Sequence, residues 1–575
     1  MLVLLFLSTF LVEANSKVTV DLDCGSVLGS ETETTLGNVL EFHQIPYGEP
    51  PVGSKRWTHS KLLEPRQSGG CWEGMYYDAS VQQNPPIKCV QYYKKGKPVE
   101  GQEDCLHLTV RTPELNPDSP LPVLVWVHGG SFFSGWSDDP GYSPDAELTA
   151  DLNVVTVNIN YRLDLMGFFS VPEIWNDPEN PGNYGNFGIG DAITALKWVQ
   201  ANIAQFGGNP DSVTVLGESS GGTVALGLLV ADQADGLFNT AVVLSAPAKW
   251  VSTYEDAYSM RSSFVSDVGC TQSTEAARRT CLRNMDVESL IKHVDTNRGW
   301  GFYDFPYSQG KIGESMDYNV LEPTLIKFAP SDLGKRKNTQ NKTTKVKVIL
   351  SNTAQEVGYN PLYYNTNVIH SWEAARSLLR NRLEILESET GFKVSKHLQE
   401  SIEEVYNYGE TEEGVWWPQL YYDTLTTDTR TTCITNDLTE DLNKNPLYQA
   451  RRMYVKSRPD EVVEAKGAVS LPYETTVPLP YETIHGWDTE ALFGYGWFNL
   501  NSSTQRHQRK FEENIRDLVQ YLCYGMEIEG WEEDATLVFE NDDFPSAVRV
   551  EKHWPQHREC KFWERRDMLQ WGWQN

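Results

Sequence analysis

Five stretches of this chain are continuously apolar and rich in β-branched residues: LPVLVWVHGG, LNVVTVNINYRL, DSVTVLGESS, TAVVLSAP and KVKVILSNT. A half-exposed strand would alternate apolar and polar positions, so unbroken runs predict strands buried on both faces of a parallel sheet. Between the second and third, GDAITALKWVQANIAQFGG sets Ala192, Ala195, Leu196, Val199 and Ile203 on one helical face, and Gly207 ends the run. Strand, helix, strand in that order predicts a right-handed crossover. The expected fold class is α/β: a large, mostly parallel central sheet with helices on both faces and long insertions. Ligands of such sheets gather at the carboxyl ends of the strands.

The polar stretches fill in the rest. SDLGKRKNTQNKTTK predicts a solvated loop before the strand from Lys345, and the prolines of LPYETTVPLPYETIHG forbid a regular helix and predict an extended one. No Gly/Ser linker or long charge block divides the chain, so one domain over residues 15–575 is expected. The opening run MLVLLFLSTFLVEA is shorter than the roughly 20 apolar residues that span a bilayer. It reads as a secretory signal peptide over residues 1–14, with secretion or a secretory-pathway lumen as the destination. No later run is apolar enough for a membrane helix. In that compartment Asn341 (NKT) and Asn501 (NSS) are candidate glycosylation sites, and nine cysteines imply several disulfides with at least one thiol left over. Neither C-x₂-C nor a Cys/His cluster with ligand spacing occurs, so no metal or other cofactor is expected. The formal net charge of −30 disfavours nucleic acid and anionic membrane as partners, since both are bound through Lys and Arg.

Candidate chemistry centres on VTVLGESSGGTVALGLLV. G-x-S-x-G, here Gly217, Ser219 and Gly221, is weak alone, but it joins a predicted strand to a predicted helix, the setting of a nucleophile elbow. A Gly-rich turn for packing, or a phosphate cradle at the helix N-terminus, would carry the same residues. Three further features favour a nucleophile. Glu356 lies just beyond the strand KVKVILSNT. His485 follows the Pro-rich loop in TIHGWDTEALFGYG, giving the order serine, acid, histidine. WVHGGSFFSG then supplies Gly129, Gly130 and Ser131 directly after a strand, a loop of the kind whose N–H groups, with that of Ser220, receive an oxyanion. His397, His507 and His557 lie in charged or terminal surroundings and are weaker candidates for the base.

With these residues in hand, the chain resembles the type-B carboxylesterase family, relatives of the cholinesterases with the α/β-hydrolase fold. IPYGEPPVGSKRW, EDCLHLTVRTP, NYRLDLMGFFS, GNFGIGDAITALKWVQANIAQFGGNPDSVTVLGESSGG and IHGWDTEALFGYG match its successive signatures in order. The resemblance implies Ser219 as nucleophile, His485 as base, Glu356 as acid, and Gly130, Ser131 and Ser220 as oxyanion donors. It implies disulfides Cys89–Cys105, Cys270–Cys281 and Cys433–Cys560; of the three cysteines left, Cys24 and Cys71 are available for an additional bridge, a pairing the sequence leaves open, and Cys523, in the helical pattern NIRDLVQYLC, is expected as a buried thiol. It also implies structural ion pairs Arg56–Glu103 and Arg162–Asp191, and a gorge lined by Phe132, Phe133, Trp300, Phe302 and Tyr359. Ser131 replaces a glycine common in relatives, and Val357 separates Glu356 from Gly358. The loop CVQYYKKGKPVEGQEDC has no Trp and carries Lys94, Lys95 and Lys97, which disfavours a choline cation. The implied function is a carboxylesterase that acts on small-molecule esters through an acyl-enzyme, generalist and not choline-selective. The alternative is a non-catalytic, cholinesterase-like ectodomain that works in binding or adhesion.

Overall fold

The computed structural model describes residues 17–66, 70–72, 74, 76–91, 98–246, 254–255, 258, 263–297, 325, 345–354, 356, 371–390, 393–395, 397–406, 417–456, 485, 487–493, 502–540 and 547–565. The expected signal peptide, Asn341, Asn501, Lys94, Lys95, Lys97, Trp300, Phe302, Val357, Gly358 and Tyr359 lie outside them.

The five apolar runs become five strands at the centre of one sheet. In chain order the strands are β1 (Val18–Leu22), β2 (Gly25–Thr34), β3 (Gly37–Pro46), β4 (Tyr76–Asp78), β5 (His107–Thr112), β6 (Leu121–Val127) and β7 (Val155–Ile159). They continue as β8 (Gly208–Glu218), β9 (Thr240–Leu244), β10 (Val346–Thr353), β11 (Tyr448–Val455), β12 (Thr536–Glu540) and β13 (Ala547–Glu551). Their spatial order is β1-β2-β3-β5-β7-β6-β8-β9-β10-β11-β12-β13, with β4 beside β2. From β7 to β12 every pairing is parallel, while β1, β2, β3 and β5 form an antiparallel flank and β13 an antiparallel edge.

Why the central runs are unbroken is visible in their packing. Successive side chains on a strand point to opposite faces, and here each face meets its own core. Val123, Val125, Val127, Val215, Val243 and Leu350 join one apolar cluster, while Leu124, Trp126, Leu216, Val242 and Ile349 join another. Helices Phe187–Asn202 and Ser220–Val230 pack on the first face, and helix Ser502–Cys523 on the second. Each fully buried Val or Leu contributes about 1.5–3 kcal/mol, so burial on both faces dominates the fold. The crossover helix begins at Phe187, and Gly207 ends its last 3-10 turn at φ 80°. It differs from expectation in being buried nearly all round, because neighbouring segments cover the side turned from the sheet.

Four disulfides, Cys24–Cys71, Cys89–Cys105, Cys270–Cys281 and Cys433–Cys560, bind the periphery, and Cys523 is a buried free thiol. Arg162 and Asp191 form a two-armed, almost fully buried ion pair at 2.7 Å, and Arg56 pairs with Glu103 at 2.6 Å. No helix among the described residues is long and apolar enough to cross a membrane.

Candidate active site

β8 ends at Glu218, helix Ser220–Val230 starts two residues later, and Ser219 is the hinge between them with φ 54° and ψ −124°. A non-glycine residue in that region is strained by about 1–3 kcal/mol and persists only where its surroundings hold it. The clamp is the parallel sheet: the Ser219 N–H donates to Leu244 O at 2.9 Å, and the Ser219 carbonyl accepts from the Thr223 N–H at 3.0 Å. The flanking glycines are sterically required. A Cβ on Gly217 would stand 2.3 Å from Gly221 O, and one on Gly221 would stand 2.1 Å from Val127 O.

Sheet register then brings the other partners alongside. Glu218 lies opposite Leu244, and Leu244 opposite Ser351, so the carboxyl ends of β8, β9 and β10 lie side by side. Glu356 follows β10, with one oxygen taking the Ser245 hydroxyl and the Thr353 N–H, each at 2.6 Å. Its other oxygen lies 2.5 Å from His485 Nδ1. Burial works to raise the Glu356 pKa, but His485, Ser245 and Thr353 outweigh it and hold the carboxyl below its usual range.

The His485 ring has carboxylates on both sides, since its Nε2 is 3.1 Å from Glu218 Oε1, in the residue before Ser219. Glu218 is buried, takes the Tyr142 hydroxyl on its other oxygen, and packs so tightly on Gly129 that a Cβ there would lie 2.6 Å from it. Burial disfavours the imidazolium, yet Glu218 and Glu356 overcome it and raise His485 to about 9. The ring is nonetheless reachable, with 38% of its side-chain surface open. Asp488 is fully buried nearby and rises to about 6, through burial and then the Glu356 charge.

The loop after β6 completes the constellation. Gly130 has φ 102°, and Ser131 and Phe132 follow at 56° and 63°. Among the described residues no acceptor meets the N–H of Gly130 or Ser131, and the Ser220 N–H, in the first turn of its helix, has no intrahelical partner. His128 is buried and kept neutral, its pKa pushed down by burial to about 4, with Nδ1–H donating to Gly129 O at 2.8 Å. It is a loop anchor. Phe132 is buried and packs edge-on to Phe168, whereas Phe133 is half-buried.

Ser245, Asp488 and Tyr142 were not legible as site residues. Only Ser245 carried a signal, standing at the carboxyl end of the predicted strand TAVVLSAP. No group of three or more His, Cys, Asp or Glu suited to a metal occurs among the described residues.

A family model described as "Carboxylesterase family" matches residues 16–556. The chain is 34% identical over 275 residues to pyrethroid hydrolase Ces2e of Rattus norvegicus, covering 46% of each chain. It is 34% identical to para-nitrobenzyl esterase of Bacillus subtilis (strain 168), covering 47% of this chain and 52% of that one, and 32% identical to esterase FE4 of Myzus persicae, covering 57% and 56%. These matches span about half the length of the curated relatives. A solved structure of PNB esterase superposes with a TM-score of 0.67 at 23% identity, covering 96% of this chain and 99% of that one, a likeness of fold. The sheet has the order and mostly parallel core of the α/β-hydrolase class, and with the family match extending over nearly all of its length, the chain belongs to the carboxylesterase family.

Proposed function

We propose that the protein is a secreted serine carboxylesterase, a single α/β-hydrolase domain that cleaves small-molecule carboxylic esters through an acyl-enzyme. The observation that carries this reading is the imidazole held at Nδ1 by Glu356, 2.5 Å away, with its Nε2 3.1 Å from Glu218, the residue that precedes the strained elbow at Ser219. In the reaction Ser219 Oγ attacks the ester carbonyl as His485 Nε2 takes its proton, and the N–H groups of Gly130, Ser131 and Ser220 receive the oxyanion. The tetrahedral intermediate expels the alcohol, which takes the proton back from His485. Water then attacks the acyl-Ser219, His485 removes and returns one proton, and the acid leaves.

Glu218 and Glu356 both stabilise the imidazolium that forms at each step, and only the neutral ring can start the cycle. Four disulfides support an oxidising compartment, and the lysines of the 89–105 loop favour neutral esters over choline esters. Treatment of the folded protein with a fluorophosphonate, followed by peptide mapping, tests the reading. Modification of Ser219 together with turnover of aryl and short-chain esters is expected; an unlabelled Ser219 and no turnover would leave a binding or adhesion role.

A further inference from the structure

Arg452, on β11, is fully buried and gives its N–H groups to neutral oxygens. Nε donates to Asn436 Oδ1 at 2.9 Å, Nη1 to Leu350 O at 3.0 Å and to Met453 O, and Nη2 to Asn352 Oδ1. Its guanidinium stands 6.0 Å from the Tyr454 ring centre. No carboxylate within ion-pair distance of Arg452 is found among the described residues. A cation buried in that way is strongly unfavourable unless some charge compensates it.

Two observations tie this side chain to the triad acid. The first is a relay along β10, which runs parallel to β11 with Leu350 opposite Arg452. Asn352, gripped by the guanidinium, donates its own amide to Thr353 O at 2.7 Å and to Thr432 Oγ1 at 3.1 Å. Thr353 N–H in turn donates to Glu356 at 2.6 Å. The second is charge. Burial pushes the Arg452 pKa down to about 9, and the groups that support its charged form are Tyr454 and then Glu356, so the guanidinium stays charged at neutral pH.

We propose that Arg452 is a positioning residue for the triad acid: its guanidinium clamps the carboxyl end of β10 through Leu350 O and Asn352, and so fixes the Thr353 N–H that holds Glu356 against His485. This rests on the reading of the site given above, and it acts on the reaction only through Glu356.

The test uses the full chain carrying Arg452→Met or Arg452→Lys. Three properties are measured: kcat and KM on a neutral aryl ester per titrated active site, thermal unfolding, and the far-downfield proton signal of the His485–Glu356 hydrogen bond. Arg452→Met is expected to lower kcat by roughly ten-fold or more, since misplacing a reacting group by about 1 Å costs up to about 10²-fold, with KM unchanged and the downfield signal lost. Arg452→Lys, which keeps the charge, is expected to restore the signal and part of kcat. Equal kcat in the wild type and both variants, or a downfield signal that survives in Arg452→Met, would overturn the proposal even if both variants melt early. Should Arg452→Met not fold, Asn352→Ala cuts the relay while leaving the cation; a fall in kcat at constant KM is expected, and an unchanged kcat overturns the clamp. A wild type that turns over no ester refutes the reading of the site, and the downfield signal across the variants still judges Arg452.

Discussion

His485 Nδ1 and Glu356 Oε2 stand 2.5 Å apart although 129 positions separate them in the chain. Because Glu356 also receives Ser245 and Thr353, replacing it by Gln would remove the charge that orients and stabilises the imidazolium while nearly preserving shape. By analogy with the loss of a triad carboxylate elsewhere, kcat should fall by about 10⁴ with little change in KM. Steady-state kinetics with an aryl ester checks this; a variant within ten-fold of wild type would remove Glu356 from the mechanism.

In the proposed mechanism the second carboxylate sets an alkaline pH dependence. His485 rises to about 9 in the fold, since Glu218 and Glu356 outweigh the opposing effect of burial, so the neutral base accumulates only as pH approaches that value and kcat/KM should climb towards it. In Glu218→Gln, Nε2 loses its carboxylate and the acid limb should move to lower pH. The sign for stability is opposite. A folded pKa above the unfolded value of 6.5 gives a contribution that is complete below about 6.5 and lost as pH rises through about 9. A pH–rate profile of Glu218→Gln that overlays the wild type would refute the coupling.

Ser131 carries a side chain at φ 56°, a conformation that disfavours any L-residue by roughly 1–2 kcal/mol. Ser131→Gly should therefore raise thermal stability by about that amount while leaving the backbone donor in place. Calorimetry reads the gain, and a lower melting temperature would mean that the serine side chain holds the loop.

The glycines of the elbow should behave in the opposite way. A methyl on Gly221 would lie 2.1 Å from Val127 O, a backbone atom of the central sheet that has no freedom to retreat. Gly221→Ala should destabilise by about 1–3 kcal/mol or more, as overpacking does, and lower activity by tilting Ser219. Denaturant unfolding at constant m-value measures it.

Legibility from sequence followed the burial rule. β6 to β10 announced themselves because both their faces are apolar, and the elbow because its small residues sit at a strand–helix join. β11 was hidden: YQARRMYV carries Arg451 and Arg452 at buried positions, where a hydropathy pattern expects aliphatic residues. The antiparallel flank was likewise obscured, as buried Glu41 on β3 pairs with buried Arg111 on β5 at 2.6 Å. The order serine, acid, histidine was readable, but the contact of His485 with Glu218 depends on sheet register and loop path, which no local pattern encodes.

The most direct test of the whole account is covalent labelling of Ser219 by a fluorophosphonate across pH, in the wild type and in His485→Ala. Labelling confined to Ser219, rising with pH towards about 9 and lost in His485→Ala, is the predicted result. Equal labelling of the two proteins, or none at Ser219 in the wild type, would contradict it.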